Sequence, residues 1–131
     1  MSAAHELPLL PLSVGHVQLF ARTADAPVRW RLLSGNNREA GRSAMSYPDA
    51  ETARIAVKEF QIIVDELQPT VRRTTSNEWA WQLSHLGQLV AVSGRGFDRL
   101  IRCEQGLAQF LTNIRQAEIS AALMVSHARR W

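Results

Sequence analysis

The chain has 131 residues, of which 46% are hydrophobic and 21% are charged. This balance is typical of one globular domain with its own core, and it excludes intrinsically disordered and membrane-embedded classes. The formal net charge is +3, and 14 of the 15 basic residues are arginine because Lys58 is the only lysine. Such a skew is compatible with recognition of phosphates or carboxylates, which guanidinium binds bidentately, and equally with codon bias in a GC-rich genome.

Cysteine usage and the N-terminal residues limit the compartment. Cys103 is the only cysteine, so an intrachain disulfide and a zinc site built on several thiolates are excluded. The first residues lack the positive charge of a signal peptide, and the apolar run 7–12 is short and interrupted by Pro8 and Pro11. We therefore expect a cytoplasmic protein with no membrane span and no cofactor.

Residues 1–16 are predicted to form an N-terminal arm. Its two prolines prevent a helix, and its leucines favour an extended segment packed over an apolar surface. The sequence leaves open whether that surface belongs to the same chain or to a partner. These leucines are Leu7, Leu9, Leu10 and Leu12.

Three strands are predicted after the arm. The first covers 17–23 and the third, weaker one covers 38–45, where Gly41 indicates a bend or bulge. The second strand, 28–33, alternates apolar and charged side chains, which is typical of a half-buried antiparallel strand. Its apolar residues are Val28, Trp30 and Leu32, and its charged residues are Arg29 and Arg31. The segment Ser34–Asn37 has the Gly and Asn residues of a hairpin loop.

An amphipathic helix is predicted over 49–66. Its start has Ser46 or Asp49 as a capping residue, and Pro69 prevents its continuation. Small and apolar residues recur in it at spacings of three and four. They are Ala53, Ala56, Val57, Phe60, Ile63 and Val64.

The same order of elements then recurs, with strands over 70–75, 79–83 and 88–93 and a helix over 98–116. Trp30 and Leu32 match Trp81 and Leu83 at an offset of 51, and Tyr47 matches Phe97 at an offset of 50. The helix positions match as well, at the second offset. The pairs are Ala53 with Cys103, Ala56 with Gly106, Val57 with Leu107, and Phe60 with Phe110. We interpret the chain as an internal duplication.

This arrangement resembles the YegP-like family of small domains over residues 17 to about 115. The first unit carries the resemblance in Trp30-Arg-Leu32, Gly35-Asn36, Tyr47, Ala53 and Ala56-Val57. The second unit carries it in Trp81-Gln-Leu83, Gly87, Ser93-Gly-Arg-Gly-Phe97, Cys103 and Gly106-Leu107. The resemblance implies two β-β-β-α units that form one sheet with helices on one face, and it implies no activity. The first unit departs from the pattern in its third strand, because Ser43 stands near the place of the glycines in the second unit.

Residues 117–131 are predicted to form a helical extension beyond the domain of 17–116, with a stripe that includes Ile119, Ala122 and Leu123. It continues the second helix, either as one helix over 98–129 or as two joined near Gln116. Its apolar surface would need cover, so we expect a homo-oligomer, most simply a dimer, or packing against the arm.

No constellation indicates catalysis. No two of the histidines have the i, i+4 spacing of a helical metal site, so we interpret them as surface residues; they are His5, His16, His85 and His127. Cys103 occupies the place of Ala53, which indicates a buried packing role. The glycines of 93–96 lack the spacing of a phosphate-binding loop. We therefore expect a protein that is not an enzyme.

The remaining candidate site is the sheet face opposite the helices. Arg29 and Arg31 share this face by parity, and Arg72 or Arg73 would join them in a strip that binds single-stranded nucleic acid or another polyanion. Sheet-based readers also need exposed aromatic residues, and Trp30, Trp79 and Trp81 have the parity of the core. Only Phe20 has the parity of the open face.

The sequence thus predicts an α+β fold of two tandem β-β-β-α repeats in one antiparallel sheet, with the helical extension described above. The function that it favours is a non-enzymatic interaction or structural module that associates with itself. The alternative is a weak binder of polyanions or single-stranded nucleic acid. The two predictions differ in the surface that meets the partner.

Overall fold

The computed structural model describes residues 15–126, which form seven strands and two helices. The strands are β1 His16–Ala21, β2 Arg29–Leu33, β3 Glu39–Ser43, β4 Gln68–Arg73, β5 Trp79–His85, β6 Gln88–Ser93 and β7 Glu118–Val125. The helices are α1 Ala50–Ile63, which continues into a 3-10 turn over Val64–Glu66, and α2 Leu100–Ile114. In this part of the chain, neither helix is long and apolar enough to span a membrane.

The strands form one sheet in the order β4-β5-β6-β3-β2-β1-β7. The strands β1-β2-β3 and β4-β5-β6 each form an antiparallel meander. Their last strands, β3 and β6, pair with each other in the middle of the sheet. The prediction of a purely antiparallel sheet was wrong, because β7 pairs with β1 in the parallel direction. The sheet is therefore mixed.

The predicted helical extension was also wrong, because residues 118–125 form strand β7. Ile119 lies opposite Val17 and Leu123 lies opposite Leu19, so four residues of β7 span two residues of β1. This bulge places two inward-facing side chains four residues apart, which is the spacing of a helix face. Ile119 and Leu123 do share one face, as predicted, but they do so on a bulged strand and not on a helix. The last five residues of the predicted extension lie outside the described part.

Both helices pack on one face of the sheet. The Phe60 ring of α1 lies 5.0 Å from the Trp30 ring, and the Phe110 ring of α2 lies 4.8 Å from the Trp81 ring. Phe110 also stacks on Trp30 at 6.4 Å, so one aromatic cluster joins the two halves. Trp30 and Trp81 are both buried in the core.

The turns explain why the predicted hairpins form. Asn37 has a φ of 67°, as expected of an asparagine that ends a hairpin loop. Leu86 and Gly87 connect β5 and β6 with φ values of 52° and 83°, and Leu86 is a bulky residue in a conformation that favours glycine or asparagine.

Gly41 lies next to an irregularity in the pairing of β2 with β3, so the predicted bulge is confirmed. The absence of a side chain at Gly41 also allows close packing of the core. A Cβ there would lie 2.7 Å from the Trp81 ring and 2.8 Å from the Phe110 ring. The aromatic cluster therefore packs directly on the backbone of β3.

The predicted arm lies outside the described residues except for Gly15 and His16. His16 opens β1 and pairs with Leu33 of β2 and with Glu118 of β7. The arm therefore joins the domain between the two neighbours of β1.

Candidate binding surface on the open sheet face

The sheet face opposite α1 and α2 is not covered by any element of the described chain. On this face Gln18 lies opposite Arg31, Phe20 lies opposite Arg29, and Arg31 lies opposite Arg42. The alternation of the strands places these side chains between the core positions. We call the cluster of Phe20, Arg29, Arg31, Glu39 and Arg42 the arginine patch.

Glu39 holds two guanidinium groups of the arginine patch in place. Its carboxylate accepts hydrogen bonds from Arg42 at 2.6 and 2.8 Å and from Arg31 at 3.3 Å. Arg31 also donates from Nε to the Gln18 side-chain oxygen at 2.8 Å. Two arginines fixed by one carboxylate keep donors to spare, because each guanidinium carries five N–H groups.

Phe20 lies beneath the same two guanidinium groups. The central guanidinium carbon is 4.6 Å from the ring centroid in Arg31 and 5.5 Å in Arg42. Such cation–π contacts restrain the cations further. The patch is therefore preorganised on three strands.

Arg29 completes the patch. It donates a hydrogen bond to the Ser43 carbonyl oxygen, while its Nε is buried without a partner. Burial lowers the pKa of Arg29, the neighbouring Arg42 lowers it further, and Glu39 raises it. Three arginines and one glutamate give the patch a net positive charge.

Glu39 owes its position in part to a glycine. A Cβ on Gly94, just beyond β6, would lie 2.4 Å from a carboxylate oxygen of Glu39. The close approach of the backbone at Gly94 leaves room for the glutamate between β3 and β6. A side chain at this position would force Glu39 to move.

Of the four arginines predicted for the strip, the structure brings two together. Arg29 and Arg31 lie in the arginine patch. Arg72 has the same parity, but its strand β4 is three strand spacings, about 14 Å, from β3. Arg73 lies over the ring of Trp79 at 5.0 Å, with the opposite parity.

Sequence reasoning missed Arg42 and Glu39. Both lie in β3, whose sequence is the weakest strand signal in the chain. Counting from the hairpin loop at residues 34–37 would have placed Gly41 opposite Arg31, and only the register shift between Leu32 and Leu33 brings Arg42 there.

The arginine patch occupies one half of the sheet. At the offsets of the predicted repeat, its arginines correspond to uncharged residues in the other half. These residues are Ala80, Gln82 and Val92. The open face is therefore basic over β2 and β3 and largely uncharged over β5 and β6.

Apart from the open sheet face, the surface has a groove at the start of α2. This groove, of about 470 Å³, is lined by Arg95, Phe97, Arg102 and Gly106, among others. Phe97 packs against Gly106, where a Cβ would lie 2.8 Å from the ring, and Gly96 packs against Glu78. The glycines of this loop thus serve close packing.

The cysteine and the histidines considered in the sequence lie outside the arginine patch. Cys103 lies on the buried face of α2, and burial raises the pKa of its thiol. His85 contacts Glu66 at 3.1 Å, and His16 lies in β1. His5 and His127 lie outside the described residues. Among residues 15–126 no three His, Cys, Asp or Glu side chains are grouped to hold a metal ion.

No protein-family model and no curated protein sequence matches the chain. Two solved structures are similar to it. The solution structure of the protein of unknown function YegP from E. coli has a TM-score of 0.65 and 15% identity, over 85% of this chain and 95% of that one. A UPF0339 protein from Shewanella oneidensis has a TM-score of 0.66 and 14% identity, over 82% of this chain and 90% of that one. The chain therefore has the YegP-like fold.

Proposed function

We propose that the protein is a non-enzymatic interaction module that binds an acidic segment of a protein partner on the open sheet face. The observation that carries this proposal is the arginine patch, in which Glu39 and Phe20 hold Arg31 and Arg42 on an uncovered surface. Guanidinium groups restrained in this way lose little side-chain entropy when they bind carboxylates.

The composition of the open face supports a protein partner. Arginine, aromatic residues and methionine are enriched at protein interfaces, whereas lysine is depleted. Phe20 lies opposite Met124 of β7, and Val92 lies opposite Arg42. The face thus combines fixed positive charge with apolar side chains.

Nucleic acid is the alternative partner, and the same residues disfavour it. Single-stranded nucleic acid binds best where bases stack on exposed aromatic rings. Among the described residues, Phe20 is the aromatic side chain of the arginine patch, and two guanidinium groups lie over it. A polyanion would have to bind through charge alone, which is strongly salt-dependent.

A titration tests the proposal. The probe is a short labelled peptide in which glutamates alternate with leucines, and the comparison probe is a single-stranded oligonucleotide. We expect the double variant Arg31→Gln with Arg42→Gln to weaken peptide binding about tenfold, because charge-assisted hydrogen bonds are lost. The matched control, Arg99→Gln with Arg102→Gln, removes the same charge from the cap and first turn of α2 and should bind like the unchanged protein.

Three results would contradict this function. If the peptide does not bind, or if both double variants lose binding equally, the open face is not the binding surface. If the oligonucleotide binds more tightly than the peptide at physiological salt, the polyanion alternative replaces the proposal.

We also propose that the two halves arose by duplication. The backbone N–H of Trp30 donates to the Ser43 hydroxyl at 3.1 Å, and the backbone N–H of Trp81 donates to the Ser93 hydroxyl at 3.3 Å. The backbone pairing before each helix is also alike. Val28 forms an isolated antiparallel β-bridge with Tyr47, and Trp79 forms one with Phe97. Equal losses of stability in Ser43→Ala and Ser93→Ala would support equivalent roles.

Dimerisation stays a prediction. It was argued from a helical extension, and residues 118–125 form a strand instead. Light scattering over a wide concentration range tests it. A constant monomer mass would exclude the predicted dimer.

A further inference from the structure

The arginine patch carries more positive charge than its single carboxylate can balance. Glu39 pairs with Arg31 and Arg42, whereas Arg29 forms no ion pair within residues 15–126. Arg29 lies beside Arg42, because it donates a hydrogen bond to the carbonyl oxygen of Ser43, the next residue of β3. Three guanidinium groups with one carboxylate leave the patch two uncompensated positive charges.

Repulsion between these cations is only partly relieved within the protein. Arg31 and Arg42 lie directly opposite each other on β2 and β3, where like charges are unfavourable. Burial lowers the pKa of Arg29, and the charge of Arg42 lowers it further. A bound dianion would therefore neutralise charges that the protein holds close together without enough carboxylates.

The guanidinium groups keep most of their hydrogen-bond donors for a ligand. Arg31 uses Nε for Gln18 and Nη1 for Glu39, and Arg42 uses Nε and Nη2 for Glu39. Each of these two arginines therefore has three of its five N–H groups left. A phosphorylated side chain offers three acceptor oxygens to such donors, whereas a carboxylate offers two.

Glu39 does not block the approach of an anion. Its side chain is 15% exposed, against 29% for Arg31 and 31% for Arg42. Both of its carboxylate oxygens already accept hydrogen bonds from these two arginines. The exposed surface of the patch is therefore formed more by the guanidinium groups than by the carboxylate.

We propose that the arginine patch selects a phosphorylated side chain, such as phosphoserine, within the acidic segment of the protein partner. The inference rests on the function proposed above and names the group that the patch prefers. A phosphate monoester carries a charge of about −2 at neutral pH, which matches the net charge of the patch. Guanidinium groups bind phosphate bidentately, which makes these pairs strong. The phosphodiesters of nucleic acid carry only one charge each and match it less well.

Two peptides of equal charge test the preference. Both keep the leucines of the probe described above and have serine between them. One serine is phosphorylated in the first peptide, and two serines are replaced by glutamate in the second. We expect the phosphoserine peptide to bind about tenfold more tightly, because its oxygens meet the free donors of Arg31 and Arg42.

Two single variants locate the preference. Arg42→Gln should remove most of the difference between the two peptides. The control, Arg72→Gln, removes the same charge from the same face, three strand spacings or about 14 Å from β3, and should leave the difference unchanged. Equal effects of the two variants would overturn the preference, because net charge alone would then account for binding.

The remaining outcomes separate this inference from the function on which it rests. If the two peptides bind equally, or if the glutamate-leucine probe binds and the phosphoserine peptide does not, the preference fails and the proposed function stands. If none of the three peptides binds, both fail. Inorganic phosphate serves as a competitor, and displacement of the phosphoserine peptide at equal concentration would assign the patch to free phosphate instead. Phosphorus NMR gives a second measurement, in which an unshifted phosphoserine signal on addition of the protein would also overturn the proposal.

Discussion

At the scale of single residues, the two core tryptophans differ in one hydrogen bond. The side chain of Trp30 hydrogen-bonds Tyr47; burial raises the pKa of that tyrosine and the bond from Trp30 lowers it in part. The Nε1 of Trp81 is buried without a partner, and Phe97 stands at the place of Tyr47. An unpaired buried N–H costs stability.

We therefore expect Phe97→Tyr to raise the free energy of unfolding by about 1 kcal/mol and Tyr47→Phe to lower it by about the same amount. Urea denaturation of the two variants measures both. Opposite changes in the free energy of unfolding for the two variants would point to the hydrogen bond of the tyrosine hydroxyl and not to the size of the side chain. A destabilised Phe97→Tyr variant would mean that the Trp81 N–H does not face residue 97.

Gly41 gives a second prediction at this scale. Its backbone touches the rings of Trp81 and Phe110, so Gly41→Ala would force these rings apart. Overpacking of this kind costs about 1–3 kcal/mol. Thermal unfolding should show a lower midpoint, and an unchanged midpoint would show that the aromatic cluster can shift freely.

At the scale of elements, the two helices begin differently. Asp49 caps α1 by accepting a hydrogen bond from the Thr52 N–H at 2.7 Å, and this bond lowers the pKa of Asp49. Arg99 has the corresponding place at α2, with an extended backbone and no side-chain bond to the helix.

Exchange of these caps should therefore have opposite effects. Asp49→Ala should lower the free energy of unfolding by about 1 kcal/mol, and Arg99→Ser should raise it by up to about that amount. Chemical denaturation measures both changes. A neutral Arg99→Ser variant would indicate that another group already satisfies the first N–H groups of α2.

The sequence predicted the elements that have strong local signals. The alternation around Trp30 and Trp81 and the spacing around Phe60 and Phe110 each gave the right element, because one face of each is buried. It failed at β7, where a bulge reproduced a helical spacing. It also failed at Arg42 and Glu39, since their proximity to Arg31 depends on the pairing of β3, which no local pattern fixes.

At the scale of the whole molecule, both edges of the sheet are unsuited to further pairing. Strand β4 carries Pro69, Arg72 and Arg73, and proline and charge hinder the addition of a strand. Strand β7 is bulged, and Arg54 of α1 donates to its Ala121 carbonyl oxygen at 3.1 Å. A dimer, if it forms, should therefore use a face of the molecule and not extend the sheet.

The buried thiol reports on the whole fold. Because burial raises the pKa of Cys103, the native state keeps its proton at pH values where the unfolded chain loses it. The stability of the protein is therefore unaffected by ionisation of this thiol below the unfolded pKa of about 8.5. It falls as the pH rises above that value, because ionisation of the thiol favours the unfolded chain. We expect Cys103→Ala to show a weaker alkaline loss of stability, and the unchanged protein to react slowly with Ellman's reagent until it unfolds. Rapid labelling of the native protein would contradict the closed core.

The central claim is that the open sheet face, and the arginine patch in particular, is the binding surface. Two-dimensional NMR during titration with the glutamate-leucine peptide tests it most directly. The account predicts shifts of the backbone signals of Phe20, Arg31 and Arg42, and none on the outer faces of α1 and α2. Shifts confined to the helices, or to the groove around Phe97, would contradict it.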